Sequence, residues 1–176
     1  LKKAESFIEK GLGTNMSNGR FKLDLPEATK RKIKSVMGRD FDSHSIEIGG
    51  VRHSLKNHGE NGSKLTEKSI PITEEDTKLI PYIMVAPDYV RKGSTDIRGR
   101  ETVKFYKNLS NGYVVVVEKE WVDSPQNLET ISMWAEKTLS NANLPSSDQS
   151  NTSETAHISM SDAAKIRKDA ETIIEN

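Results

Sequence analysis

Two histidines lie five residues apart in the segment VRHSLKNHGE, which covers residues 51–60. They are His53 and His58, two of the four histidines in the chain, and Arg52 and Lys56 lie beside them. Imidazole is the side chain that exchanges a proton near neutral pH without help from its surroundings. The segment is therefore the first candidate for general acid–base chemistry on a charged substrate.

The glycines around this segment predict a short helix from about Val51 to His58. At ~100° per residue, His58 shares a face with the apolar side chains and His53 points away from them. We expect His58 to be partly buried at the helix C-terminus, where free carbonyls favour the charged imidazolium. His53 is then free to face a cleft and is the better candidate for a general base. The alternative is that His53 is only an exposed polar residue and His58 only a histidine at the edge of the core.

A second pair of candidates lies on a predicted hairpin. Residues 103–109 and 113–120 flank Ser110-Asn111-Gly112, and Asn-Gly is a strong turn signal. With a two-residue turn, Lys107 lies close to Val116 and diagonal to Glu118 on an otherwise apolar face. The alternative to a functional role is a peripheral ion pair at the margin of the sheet.

Other patterns complete the prediction of structure. A helix is predicted over 26–37 with a basic outer face, a strand over 44–48, a helix beginning at Thr73 and a strand over 128–134. Residues 161–176 form a polar helix with a thin apolar stripe, which could dock on the domain or lead to the next one. The predicted organisation is an N-terminal extension over 1–20, a central domain over 21–139, a polar linker over 140–160 and the C-terminal helix.

Composition excludes several classes of site. The chain of 176 residues can bury a real core, and its 26 basic and 26 acidic residues give no net charge, so a strongly cationic nucleic-acid coat is absent. The lack of cysteine excludes disulfides, thiolate nucleophiles and cysteine-ligated metal sites. Neither an apolar run of ~20 residues nor a signal peptide is apparent, so no membrane partner is expected. Leu1 in place of methionine predicts a piece of a longer protein.

The order of these motifs resembles the phage-type barnase/EndoU/colicin/RelE-like nuclease superfamily, above all the domains at the C-terminus of MuF-like phage head proteins. The similarity covers roughly residues 23–139. Its motifs are matched by His53-x4-His58-Gly59, Ile70-Pro71-x-Thr73-x-x-Asp76, Ile80-Pro81 and Pro87-Asp88. The strand lysine of the family and the acid that follows it fall on Lys107 and Glu118. Where the family has a threonine followed by methionine and an aromatic residue, this chain has Ser132. Serine keeps the hydroxyl of threonine and loses its methyl group.

The resemblance implies an α+β fold, with N-terminal helices packed on a curved antiparallel β-sheet of about four strands. It also implies metal-independent cleavage of RNA by a toxin- or effector-like domain, without a cofactor. Such cleavage needs a base for the ribose 2′-hydroxyl, an acid for the 5′-oxygen and cations for the phosphate. We assign His53 as the base or the acid, and His58 as its partner or as a cation that orients the phosphate. Lys107 would stabilise the charge of the transition state, and the Ser132 hydroxyl would donate a hydrogen bond to the phosphate. Glu118 would tune a lysine or histidine, or act as the alternative base.

The same resemblance implies partners and a setting. RNA is the expected partner, with backbone contacts expected from Arg52, Lys56, Lys30 and Arg31, although a solvated helix face explains the last two equally well. The resemblance is also compatible with a neutralising immunity or antitoxin protein. It is compatible, too, with a place for this domain in a larger polyprotein or phage particle. Action is expected in the bacterial cytoplasm, after delivery with a phage or mobile element.

Two alternatives stay open. The chain could be a catalytically inactive structural or partner-binding module of a phage or mobile-element polyprotein. Ser132, the neutral net charge and a lack of aromatic stacking platforms favour this, because Tyr82, Tyr106, Tyr113 and Trp134 are expected in the core. The other alternative is a metal-dependent hydrolase that uses His53 and His58. Their spacing puts them ~140° apart on a helix, which disfavours a shared ion.

Overall fold

The computed structural model describes residues 1–14, 19–122, 127–138 and 157–175. The helices in these ranges are α1 (Lys2–Leu12), α2 (Glu27–Met37), α3 (Ile48–His58), α4 (Glu74–Thr77), α5 (Ile80–Val85) and α6 (Met160–Glu175). The strands are β1 (Arg20–Asp24), β2 (Ser43–Glu47), β3 (Ser69–Ile70), β4 (Tyr89–Lys92), β5 (Thr102–Asn108), β6 (Tyr113–Val122) and β7 (Asn127–Lys137). Most of the predicted linker over 140–160 lies outside the described residues. No helix in the described ranges is both long and apolar enough to cross a membrane.

One sheet holds all seven of these strands. Six run in the order β1-β2-β7-β6-β5-β4, and β3 pairs with the second half of β7. Within the described strands only β2 and β7 pair in parallel. The predicted α+β class is confirmed, but about four strands was too few. The additional strands β3 and β4 have only two and four residues, which is too short for a clear sequence pattern. The five residues of β1, Arg-Phe-Lys-Leu-Asp, do alternate between polar and apolar side chains, but this strand was not predicted.

Local signals explain where two of the helices begin and end. Pro26 precedes α2 with an extended backbone, and Gly38 ends it in the left-handed conformation at φ 71°. Thr73 caps α4, since its side chain accepts a hydrogen bond from the backbone N–H of Asp76. The Asp76 carboxylate in turn accepts one from the backbone N–H of Thr73. Both predicted helix starts are therefore confirmed.

The helix that carries the two histidines packs closely against the sheet. It begins at Ile48, three residues before the predicted start, so Gly49 and Gly50 lie inside its first turn. A Cβ on Gly50 would overlap the backbone carbonyl of Thr130 on β7. Glycine at position 50 is thus needed for the close approach of α3 to β7, not for a break before the helix.

The hairpin of β5 and β6 has a different register from the predicted one. Four residues, Leu109 to Gly112, separate the strands, so the connection is longer than the assumed two-residue turn. Lys107 consequently pairs with Val115, and Glu118 pairs with Lys104. Because side chains alternate between the two faces of a sheet, this change of one residue places Lys107 and Glu118 on opposite faces.

The hydrophobic core lies between one face of the sheet and the helices. The sheet residues in this core, all fully or almost fully buried, include Val103, Phe105, Val115, Val117, Met133 and Ala135. The helix residues in it include Ala4 and Ile8 of α1, Ile33 of α2, Ile80 and Ile83 of α5, and Ile166 and Ala170 of α6. Both terminal helices therefore pack against the central domain.

The C-terminal helix α6 is also held by polar contacts. Asp162 accepts hydrogen bonds from the backbone N–H and the hydroxyl of Ser110, at 3.1 and 3.0 Å. Arg167 forms an ion pair with Glu5 of α1 at 2.9 Å. Leu1 and Ile174 line the same cavity of about 230 Å³, so the two ends of the chain lie close together.

Candidate active site

The face of the sheet opposite the core carries two rows of functional side chains, and we call it the open face. One row follows the cross-strand pairs from β4 to β7 and is mainly aromatic, with Tyr89, Tyr106, Val116 and Trp134. The next row runs parallel to it and is polar, with Arg91, Lys104, Glu118 and Ser132. Alternation along the strands thus brings together residues from four separate segments of the chain.

Glu118 and Ser132 occupy the centre of the polar row, where they are direct cross-strand partners. Glu118 accepts a hydrogen bond of 2.8 Å from the Thr102 hydroxyl. The Ser132 hydroxyl forms no hydrogen bond to any residue that the structure describes, although Ser132 is only 9% exposed. A bulge next to the pair leaves Ile131 without a partner on β6. Bulges of this kind reorient neighbouring side chains and are common beside active sites.

Lys104 is the cation of this site, and the sequence prediction missed it. It pairs directly with Glu118 across β5 and β6, and its Nζ lies 5.4 Å from the centre of the Trp134 ring. Across the described ranges its ammonium takes part in no ion pair. It is therefore available to an anionic ligand above the open face.

His58 closes one side of the site at the C-terminal end of α3. Its ring is half-buried and lies 5.6 Å from the Trp134 ring, at an angle of 33°. Burial, followed by the charges of Lys64 and His53, lowers the pKa of His58 below its ordinary value of 6.5. The predicted burial at the helix end is confirmed, but the expected preference for imidazolium was wrong. Desolvation and two neighbouring cationic groups outweigh the helix carbonyls.

His53 lies five residues before His58, on a different side of α3, and is exposed to solvent, as predicted. Its Nε2 is 2.8 Å from the Asn57 amide nitrogen, and the Asn57 oxygen accepts a hydrogen bond from Ser63. An amide nitrogen can only donate, so Nε2 accepts in this contact and the proton of the neutral ring is on Nδ1. Rotation of the amide would present its oxygen to a protonated ring instead. Asn57 therefore orients His53 in either protonation state.

Lys107 lies on the core face, away from the candidate site. It is 3% exposed, and its Nζ donates hydrogen bonds of 2.8 Å to the Ala86 carbonyl and to Asp169 of α6. Asp88 lies 3.4 Å from the same nitrogen. The prediction that Lys107 shares a face with Glu118 was wrong, because it assumed a hairpin turn of two residues. The contacts of Lys107 indicate that it holds α6 on the sheet.

We expect Lys107→Met to lower the free energy of unfolding by about 1–3 kcal/mol, because the substitution leaves the buried Ala86 carbonyl without its donor and removes the ion pair with the partly exposed Asp169. Urea denaturation followed by circular dichroism measures the change. Lys165→Ala is the control, since Lys165 is an exposed partner of the same Asp169. Its effect should be within about 0.5 kcal/mol. Equal stability of Lys107→Met and the wild type would show that the buried contacts do not stabilise the fold.

The four predicted RNA-binding residues have different environments. Arg52 donates hydrogen bonds to the carbonyls of Gly11 and Thr14, so it fixes the end of α1. Lys30 is on α2, away from the open face, where it pairs with Glu27 of the same helix and with Asp42, which precedes β2. Arg31 is exposed on the same helix, and Lys56 is exposed on α3. Of the four, Lys56 is on the helix that carries the histidines, and its role stays a prediction.

The structure also changes the interpretation of the aromatic residues. Tyr82 and Tyr113 are buried, as expected, at 1% and 6% exposure. Tyr106 and Trp134 are only half-buried because they lie on the open face. The chain therefore does have an aromatic surface, contrary to the prediction. The alternating Lys-Phe-Tyr-Lys pattern of β5 could have revealed it, given the correct hairpin register.

The described residues contain no group of three or more His, Cys, Asp and Glu side chains arranged to hold a metal ion. The groups that this surface offers to a substrate are imidazole, ammonium, guanidinium, carboxylate and hydroxyl. They can exchange protons and stabilise negative charge.

Together, the fold and this surface define an α+β domain whose sheet presents acid–base, cationic and aromatic groups on one face. The model of a family described as phage-Barnase-EndoU-ColicinE5/D-RelE like nuclease3 matches residues 26–143. The chain belongs to this family of phage nucleases, which confirms the superfamily suggested by the sequence. No curated protein and no solved structure matches the chain.

Proposed function

We propose that this chain is a metal-independent endoribonuclease that cleaves RNA through attack of the ribose 2′-hydroxyl. The observation that carries the proposal is the arrangement of His58, Lys104 and Ser132 around Trp134 on the open face. The family match supports nuclease activity, and this surface supplies the acid–base and cationic groups that RNA cleavage needs.

In this mechanism His58 is the general base and His53 is the general acid. The lowered pKa of His58 favours the neutral imidazole, which can take the proton of the 2′-hydroxyl. A charge on His53 is one cause of that lowered pKa, so a protonated His53 favours a neutral His58. A neutral imidazole can act as the base while a second imidazole nearby supplies the proton for the leaving oxygen.

The bond changes follow from these roles. The 2′-oxygen attacks phosphorus, the bond between phosphorus and the 5′-oxygen breaks, and His53 protonates that oxygen. The products are a 2′,3′-cyclic phosphate and a free 5′-hydroxyl. Lys104 stabilises the charge on the phosphate, and the Ser132 hydroxyl donates a hydrogen bond to one of its oxygens. Glu118 is the cross-strand neighbour of Lys104 and is assigned as its tuning group or as the alternative base.

Incubation of the purified chain with total RNA and with transfer RNA in EDTA tests the proposal. We expect fragments that carry 2′,3′-cyclic phosphate ends, and we expect none from a His53→Ala/His58→Ala double variant. Cleavage only after addition of a divalent metal would contradict the mechanism. Failure of the folded wild type to cleave any RNA would favour the non-enzymatic binding module instead.

The proposal that His58 is the general base predicts how the cleavage activity depends on pH. Activity should fall as the pH drops through the pKa of His58, because only the neutral imidazole accepts a proton, and the midpoint should lie below 6.5. Lys64 lowers that pKa through its charge, so Lys64→Ala should raise it and move the acid limb of kcat/KM to higher pH. Lys68→Ala, which removes another exposed lysine, is the control. An acid limb that does not move in Lys64→Ala would argue against His58 as the base.

We also propose that the domain is a toxin or effector carried by a phage or mobile-element protein and that it acts on RNA in the bacterial cytoplasm. The phage association of the family supports this setting. An immunity or antitoxin protein would neutralise the domain most directly by covering the open face.

A further inference from the structure

We propose that Tyr89 and Arg91 form a binding subsite for an unpaired nucleobase and its phosphate, and that the substrate is therefore single-stranded RNA. This inference rests on the proposed ribonuclease function and extends it to the class of RNA. The subsite lies on β4, at the far end of the open face from β7.

The aromatic part of the subsite is a preformed stack. The rings of Tyr89 and Tyr106 are 4.6 Å apart and nearly parallel, with an angle of 10° between them. The two residues are direct partners on neighbouring strands, so the stack runs across the strands. Tyr106 covers the inner side of Tyr89, and β4 is the last strand of the sheet. A base that stacks on the outer side of Tyr89 would extend this stack by one ring.

Arg91 supplies the positive charge beside the stack. Its guanidinium carbon lies 5.0 Å from the centre of the Tyr89 ring and 5.8 Å from that of Tyr106. The side chain is exposed, and no acidic group in the described ranges forms an ion pair with it. A guanidinium in this position can bind the phosphate that follows a stacked base. Lys104 is its direct partner on β5 and continues the cationic row towards Ser132.

The position of the subsite separates it from the reacting atoms. Three inter-strand steps of about 4.8 Å place Tyr89 and Arg91 roughly 14 Å from β7, which carries Ser132. The two residues are therefore positioning residues that act on a remote nucleotide. A base in a duplex has both of its faces stacked and its edge paired, so only an unpaired base can bind in this way.

The experiment compares two substrates in the wild type, Tyr89→Ala and Tyr89→Phe. The substrates are an unstructured RNA of eight nucleotides and a dinucleoside monophosphate, which is too short to reach from the cleavage centre to Tyr89. We expect Tyr89→Ala to lower kcat/KM on the longer RNA by about 5- to 150-fold, mainly through KM, because one base stack is lost. Cleavage of the short substrate should not change. Tyr89→Phe keeps the ring and should behave as the wild type.

Equal losses on both substrates, or none on either, would overturn the subsite. A second measurement separates its failure from that of the proposed function. Fluorescence anisotropy gives the Kd of an eight-nucleotide strand in which 2′-deoxyribose prevents cleavage. Binding that weakens in Tyr89→Ala, with no cleavage of any RNA by the wild type, would retain the subsite and reject the nuclease. Cleavage by the wild type, with binding that does not depend on Tyr89, would reject the subsite alone.

Discussion

His58→Ala should lower kcat/KM for RNA by about 10²–10⁴-fold, which is the usual contribution of a general base. The expectation rests on the position of the ring, which is half-buried at the end of α3 and lies against Trp134. It also rests on the lowered pKa, since burial and two neighbouring cationic groups favour the neutral form. Initial rates on a single-stranded RNA, measured near neutral pH and in EDTA, give the ratio.

His157→Ala is the matched control for this variant. His157 is exposed at the approach to α6 and should be replaceable without loss of activity. Circular dichroism should show that both variants keep the wild-type fold. A loss of less than about threefold in His58→Ala would remove His58 from the proton transfers. A large loss in Glu118→Gln at the same time would assign the role of base to Glu118.

Lys104→Ala should lower kcat by about 10²–10³-fold, as is typical when one group that stabilises charge in the transition state is removed. Lys104 is on the open face, opposite Glu118 and above Trp134, and its ammonium forms no ion pair within the described ranges. Lys104→Arg should restore part of the activity, because it keeps the charge but changes the geometry. Single-turnover cleavage rates at saturating RNA measure the effect.

Two lysine variants distinguish this role from a general loss of charge. Lys22→Ala removes an exposed lysine on β1, the opposite edge strand, and should leave activity unchanged. Lys107→Met removes the lysine that the sequence suggested and should reduce stability without lowering the rate per folded molecule. Strong inactivation of folded Lys107→Met, together with full activity of Lys104→Ala, would place the active surface on the other face of the sheet.

The sequence predicted those parts of the fold that depend on local interactions. The start and end of α2 follow from Pro26 and Gly38, and the cap of α4 follows from Thr73 and Asp76. The order of the elements followed from the motifs shared with the nuclease superfamily. The short strands β3 and β4 were missed because two and four residues are too few for a periodic pattern. β1 was missed although its five residues alternate between polar and apolar side chains.

The candidate site was predictable only where a single element positions it. The two histidines are on one helix, and the half-burial of His58 and the exposure of His53 were both predicted. The position of Lys104 on the open face depends on the register of β5 against β6, and the length of the loop between these strands decides that register. The pKa of His58 depends on burial and on Lys64, which comes from the following loop. The spacing of residues along a helix contains no information about the register of these strands or about the pKa of His58.

The ion pair between Arg167 and Glu5, and the cavity shared by Leu1 and Ile174, have a consequence for how the domain can be joined to other polypeptides. The chain enters and leaves the folded unit at neighbouring points, and α6 packs behind the sheet through Asp169 and Lys107. A host protein could therefore carry the unit as an insertion between two of its own segments as readily as at one end. In either arrangement the added segments would begin beside the cavity that Leu1 and Ile174 share, and none of the residues that line this cavity belongs to the two rows of the open face.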